Sequence, residues 1–267
     1  MEHALCIEDN TIYHISEFTR LNAHDLDHRR RILLCPECGG PAFFRNVSFN
    51  GNRTPCFGAR PHTDGCKLGT FDRSMSSGNE QQNFPWISNG KIIVDFSYGS
   101  QVRSENINSI YAAKINDHYN NGFQHDIAVH HHRLGPLLTM LTSTPALQSS
   151  NQIIEIYGHA PIPANEFFVP LALGSPYHVG MLKGFWGLIS DAKIVKNTLW
   201  LNSGGWGLIS FGLDTIQLDE FTHRFRINDL EELSGALVLV VGKASIARNG
   251  KLCCIIDHIA SMTLKLP

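Results

Sequence analysis

The stretch Cys35-Pro36-Glu37-Cys38-Gly39-Gly40 limits what this chain can fold into more than any other. A Cys-x2-Cys pair followed by two glycines places two thiols on one tight turn, facing a shared point. Downstream, His62-x3-Cys66 offers two further soft ligands, enough to complete a tetrahedron around zinc. Cys56 stands between the pairs as a rival for either closing place. Cys6, Cys35, Cys38, Cys56 and Cys66 put five of the seven cysteines in the first quarter of the chain, where a redox pair or ordinary buried thiols are the competing readings. The expected ligand set is Cys35, Cys38, His62 and Cys66. Four protein ligands leave no open position for water, so the Zn2+ would be structural.

A chain of 267 residues accommodates one large domain, or a small metal module beside a core domain. An apolar share of 43% with 17% charged residues predicts a packed core. No apolar run approaches the ~20 residues that cross a bilayer, and MEHALCIEDN has neither a basic nor an apolar leader segment. Clustered cysteines without a signal segment predict a reducing, cytoplasmic setting and no membrane partner.

The formal net charge of −2 argues against a protein that holds nucleic acid by bulk electrostatics. The charge is uneven, however: residues 20–73 carry nine basic side chains against five acidic ones, and eight of the nine are arginine. The planar guanidinium fork suits phosphate. Arg29, Arg30 and Arg31, just before the first ligand pair, and Arg45 beyond it are therefore candidate nucleic-acid contacts; a solvated surface is the plainer alternative.

The pattern around the cysteines is informative. Ala4–Ile7 and Thr11–Tyr13 read as two short strands around a polar turn, and Ser16–Arg31 as a helix capped by Ser16. Together with Cys35-Pro36-Glu37-Cys38-Gly39-Gly40-Pro41, Phe43-Phe44-Arg45 and the closure from Phe57 to His62, this resembles the N-terminal zinc finger of competence protein CoiA-like proteins. In that family the module precedes a nuclease-like domain and commonly closes with His-Phe-x-His, where this chain has His62-Thr63-Asp64-Gly65-Cys66. The resemblance covers about the first 70 residues. It implies a zinc-bound finger of the kind found in bacterial DNA-handling proteins, without implying an enzyme.

A Ser-, Asn-, Gln- and Gly-rich stretch at 73–90 reads as a linker, with Phe84-Pro85-Trp86 as an aromatic anchor at its end. Residues 91–180 read as a mixed α/β region. Strands are expected at Lys91–Phe96, Ile153–Tyr157 and Phe167–Leu173, helices at Asn106–Asn120 and Arg133–Leu141, and an exposed loop or the start of a helix at His130-His131-His132. From Lys183 onward short strands alternate with glycine turns, and the pentapeptide Trp-Gly-Leu-Ile-Ser recurs at Trp186 and Trp206, suggesting neighbouring strands. Ser234–Asp257, with its Asn249-Gly250 turn, resembles the closing hairpin of an OB-fold. The expected fold class is thus α+β, with a zinc-finger module at 1–72, the linker, the mixed region and an OB-like β-barrel at 181–267.

An OB barrel that holds single strands needs aromatic faces for bases and cations for phosphate. Trp186, Trp206, Lys193, Arg224 and Arg226 are the candidates taken forward, with Trp200, Phe211, Phe225, Lys196 and Lys243 also in reach. Read as a strand, Phe221–Ile227 would turn Arg224 and Arg226 to one face. The expected function is non-catalytic binding of nucleic acid, single-stranded DNA in particular, as an accessory to bacterial DNA processing or defence against mobile DNA. Two alternatives stand beside it. A metal-dependent nuclease would draw on Asp95 and Asp191-Ala192-Lys193; a scaffold subunit would use the same surfaces for a protein partner. No P-loop, nucleophile elbow or dinucleotide fingerprint is present.

Overall fold

A computed structural model describes residues 1–47, 53–63, 65–69, 90–94, 96, 129–205 and 207–267. Asp95, Trp206, the Phe84-Pro85-Trp86 anchor, the Asn106–Asn120 helix and nearly all of the linker lie outside the described residues.

The N-terminal unit is a five-stranded antiparallel sheet. Its strands are β1 (His3–Cys6), β2 (Thr11–His14), β3 (Leu33–Leu34), β4 (Pro41–Arg45) and β5 (Cys56–Ala59), in the order β2-β1-β3-β4-β5. The single helix expected over Ser16–Arg31 is two, α1 (Ile15–Phe18) and α2 (Ala23–Arg29). Asn22 breaks it: its side chain accepts from the Asp25 N–H at 2.9 Å and so starts a new helix. Phe18, Phe44 and Phe57 fill the small core, with ring centroids 5.1 to 5.8 Å apart.

The middle sheet runs β7 (Val129–His132), β6 (Lys91–Val94), β8 (Ile153–Ile156), β9 (Ile162–Pro163), with β6 parallel to both neighbours. The three histidines expected in a loop or at the start of a helix belong instead to β7, where His132 pairs with Val94. Helix α3 (Leu134–Ser143) follows, and its Leu134, Leu137, Leu138 and Leu141 recur at the spacing of one helical face. That face packs on Ile92, Val94, Ile154 and Ile156 on one side and on Leu237, Leu239 and Val241 on the other. Two single turns follow, α4 (Pro145–Gln148) and α5 (Ala164–Phe167).

The third sheet has eight strands. They are β10 (Phe168–Pro170), β11 (Leu182–Leu188), β12 (Asp191–Val195), β13 (Thr198–Asn202), β14 (Ser210–Asp214), β15 (Leu237–Ile246), β16 (Leu252–Ile256) and β17 (Met262–Lys265). The path is β10-β11-β15-β16-β14-β13-β12, with β17 on β15. The architecture is mixed α+β, dominated by sheet.

Three expectations are corrected here. The strand over Phe167–Leu173 shrinks to the three residues of β10, followed by a 3-10 turn. The two Trp-Gly-Leu-Ile-Ser copies are not neighbours: the first ends β11, the second leads into β14, and β15 and β16 stand between those strands. Phe221–Ile227 is no strand but the end of helix α6 (Leu218–Phe225) and its cap. Asp219 and Glu220 in the first turn and His223 and Arg224 in the last match the helix dipole. The i,i+4 pair Phe221 and Phe225 stacks at 5.3 Å, a spacing that alternation had mimicked.

Charged contacts join the finger to the third sheet. Arg30, 7% exposed, forks onto Glu231 at 3.0 and 2.7 Å and also donates to the Phe44 carbonyl and the Ser234 hydroxyl. Arg31 forks onto Asp191 at 2.8 and 3.0 Å. Lys193 reaches Asp27 at 3.0 Å, and Arg45 donates to the Ser234 carbonyl at 2.8 Å. Removing one partner of a buried pair strands the other charge. Glu231→Ala is expected to destabilise the protein by roughly 3 kcal/mol, measured by urea unfolding, while Glu231→Asp should cost less. Equal stability in the alanine variant would mean that the fork is not holding the finger.

Candidate metal centre and an open sheet face

The first metal turn is set by backbone. The Cys35 N–H donates to the Gly40 carbonyl at 2.8 Å and the Gly39 N–H returns to the Cys35 carbonyl at 2.9 Å, curling both sulfurs to one side. Gly40 allows the second loop to approach, because a Cβ there would lie 2.6 Å from the Pro61 carbonyl oxygen. Glu37 ties the loops together: its carboxylate accepts from the Leu68 N–H at 3.0 Å. Donation from the Lys67 and Leu68 backbone holds that carboxyl below its ordinary range.

Cys35, Cys38, His62 and Cys66 bring their ligand atoms within 4.8 Å of one another, and they are the one such His/Cys/Asp/Glu group among the described residues. A tetrahedral zinc with bonds of about 2.3 Å to sulfur and 2.0 Å to nitrogen sets sulfurs about 3.8 Å apart and sulfur from nitrogen about 3.5 Å. Here Cys35 and Cys66 Sγ are 3.8 Å apart; His62 Nδ1 lies 3.5 Å from Cys38 Sγ and 3.2 Å from Cys66 Sγ. The donor set therefore fits a metal ion of zinc's size and softness. The Thr63 backbone N–H pulls the Cys38 thiol down to about 5, helped by Gly40, so this sulfur favours the thiolate a metal requires. Cys56 stays outside the group, on β5 opposite Arg45.

The arginines expected to meet phosphate have partners within the protein. Arg29 pairs with Asp9 at 2.6 Å, touches the Tyr13 hydroxyl and lies over the Tyr13 ring; Arg30, Arg31 and Arg45 make the docking contacts above. Arg224 stacks over the Phe225 ring, and Arg226 is exposed at the left-handed C-cap of α6, so the two do not share a strand face. Trp186 is half-buried on the side of β11 that faces α3, and its indole N–H is buried without a partner. The nuclease candidate Asp191 is 1% exposed, with its oxygens taken by Arg31, Asn202 and Ser190.

Lys193 has a different setting, and it leads to Trp200, named in the sequence reading but not among the candidates taken forward. Register places Lys193, Trp200, Gly212 and Ile255 in one row across β12, β13, β14 and β16. The next row on one side pairs Val195 with Thr198 and Thr198 with Asp214. The reverse face carries Leu199, Leu201, Phe211, Leu213, Cys254 and Ile256, all in the core, so the Trp200 row faces outward. Trp200 lies close over Gly212: a Cβ there would sit 3.1 Å from its Cζ3 and 2.8 Å from Ile255 Cδ1. Val195 and Ile255 are each 48% exposed beside it. Lys196 and Arg248, both exposed, sit in the β12–β13 and β15–β16 turns, and Lys251 donates to Asn202 at 3.4 Å. Register pairing could have found this row, had the strand order been known.

Cys38→Ser is expected to reduce bound zinc from one equivalent to near none by elemental analysis and to lower the melting temperature, because metal binding supplies folding energy in so small a core. Gly40→Ala should weaken metal retention against a chelator by crowding Pro61. Full stability without zinc in the cysteine variant would contradict both.

No family model matches the chain and no curated protein matches it. Among solved structures, a chain of the S. pombe Stn1-Ten1 complex aligns over 34% of this chain and 68% of its own, at 15% identity and a TM-score of 0.22, a likeness too slight to carry any argument about function.

Proposed function

We propose that this chain binds single-stranded nucleic acid without catalysis, on the outward face of β12, β13, β14 and β16. The observation that carries the reading is Trp200, a half-buried indole held close over Gly212 near the centre of a sheet face that no other described element covers. Such a ring offers a stacking surface to any base, and each stacked base contributes roughly 1–3 kcal/mol. Val195 and Ile255 extend the apolar area; Lys193, Lys196 and Arg248 lie along its margins for phosphate.

The strand order supports an OB-like barrel. Counting β11 and β12 as one strand bent at Ile189-Ser190, the pairing runs first to second, second to third, third parallel to last, last to fourth and fourth back to first. In OB-folds the second and third strands and the loops flanking them carry oligonucleotides; Trp200 and Gly212 occupy those strands here. In this reading the Zn2+ of Cys35, Cys38, His62 and Cys66 is structural, and the finger serves as a brace against the barrel. The finger's resemblance to CoiA-like proteins supports a setting in bacterial DNA processing or defence against mobile DNA.

The test is a titration of the whole protein against a labelled oligothymidine of about 20 nucleotides, spanning several sites of the usual size. Trp200→Ala should weaken binding between five- and a hundredfold, and affinity should fall steeply between about 50 and 200 mM salt. Absence of binding at any salt would leave the same face as a protein-docking surface and end the nucleic-acid reading.

A further inference from the structure

The outward face that carries Trp200 continues one row further toward the finger. Two residues along each strand, Asp191 pairs with Asn202, Asn202 with Ser210, Ser210 with Cys253 and Cys253 with Ser245. The strand period of two puts this row on the same side of the sheet as Trp200, about 7 Å along from it. Asp191, Asn202 and Ser210 are buried there, polar side chains on an outer face. Lys251, just before β16, reaches along the row: its Nζ donates at 3.4 Å to Asn202 Oδ1, two strands away.

We propose that Lys251 holds a backbone phosphate of the strand whose base stacks on Trp200, so that the two residues together fix where that strand lies. The inference rests on the nucleic-acid reading above and names the cation that positions the strand. The neighbouring cations have other settings. Arg31 forks onto Asp191 and lies 3.5 Å from Asp27, and Lys193 reaches Asp27 at 3.0 Å. Lys196 and Arg248 stand out in exposed turns. Lys251 differs from all four: it is half-buried, and among the described residues its ammonium makes no ion pair and one hydrogen bond, to the neutral Asn202 amide.

An ammonium held this way costs the folded chain stability. Burial, and after it the Arg31 charge, hold its pKa below the ordinary lysine range, with Asp191 opposing only in part. Folding therefore disfavours the charged form at neutral pH, a cost relieved as pH rises through that lowered pKa. Most surface lysines extend their charged end into water. Asn202 keeps this one back: its amide donates to Asp191 at 3.1 Å and accepts from the Ser210 hydroxyl at 2.9 Å, which fixes the oxygen that Lys251 meets. An ammonium has three donors, so two remain for an anion. A phosphate oxygen supplies the negative charge that no contact within the protein gives, and an arm already ordered loses little entropy on binding.

The experiment follows oligothymidine binding by the full chain with its metal, from about 50 to 200 mM salt. Lys251→Met keeps the aliphatic stem and removes the charge. It should weaken binding about tenfold at the low-salt end and lower the slope of log affinity against log salt by about 0.7, one phosphate contact on a single strand. Its melting temperature should hold or rise, because the variant loses a half-buried charge beside Arg31. Lys251→Arg should recover most of the slope. Lys265→Gln removes one charge from β17 and should leave the slope as it is. A lysine kept for the fold would give the reverse, a lower melting temperature with binding intact, and that result overturns the proposal. So does weaker binding at an unchanged slope, which would put Lys251 on a base edge instead of a phosphate. Oligothymidine bound through Trp200, with affinity and slope indifferent to Lys251→Met, defeats this inference alone; no binding by the parent chain ends the nucleic-acid reading and this inference with it.

Discussion

Convergence of three sulfurs and one imidazole on a single point is the constraint from which the rest of the structure follows. The finger's strands are short and its buried core is little more than three phenylalanines and a few small residues, too small to order the loops at 35–40 and 60–69 by apolar burial alone. A cation held by the four ligands would join those loops, adding to the backbone bonds across Cys35–Gly40 and from Leu68 to Glu37 that already link them. A fixed first loop fixes β3 directly before it, and with β3 the end of α2. Arg30 and Arg31 lie between α2 and β3, so their direction is inherited from the metal turn.

That inheritance explains where the finger's positive charge goes. Arg30 and Arg31 enter the third sheet's territory as forks matched to Glu231 and Asp191, two carboxylates held in place by their own segments. Asp191 is also the first residue of β12 and accepts from Asn202, the last residue of β13. The arginine therefore reaches, through one carboxylate, the hairpin that carries Trp200. Lys193, two residues further along β12, is drawn to Asp27 of α2. The finger thus borders the open sheet face as a brace, and a run of three arginines that suggested phosphate in the linear sequence is largely neutralised by Asp9, Glu231 and Asp191.

Local chemistry was legible and long-range pairing was not. Cys-x2-Cys with Gly-Gly, the leucine spacing of α3 and the Asn249-Gly250 turn each encode their geometry within a dozen residues, so the ligand group, the helix and the β15–β16 hairpin could be read directly. The Phe221–Ile227 segment misled because Phe221, His223, Phe225 and Ile227 fall on one face by alternation while Leu218, Phe221 and Phe225 also satisfy a helix. The acidic start and basic end of α6 decide between them. Trp200 was harder still. Whether a strand tryptophan is core or platform depends on which face its strand turns inward, and that is set by Leu199 and Leu201 packing against strands distant in sequence.

The two flanks of the third sheet differ in a way that the sequence itself carries. Along β15, Leu237 to Val241 is apolar at every position: Val238 and Val240 face the inner core, Leu239 and Val241 face α3. Strands apolar on both faces must be covered on both. Helix α3 supplies that cover. Across β12, β13 and β14 the pattern instead alternates, with Lys193, Thr198 and Asp214 turned outward between core residues. Such a flank needs no cover, and no described element packs over it. Val195 and Trp200 are the exceptions on that flank, and Trp200 is the larger, a ring where alternation calls for a polar side chain, seated over a glycine that leaves room for it. Core packing among the described residues does not account for a ring on the outer face of such a flank, and that is why the proposed nucleic-acid face is centred on Trp200.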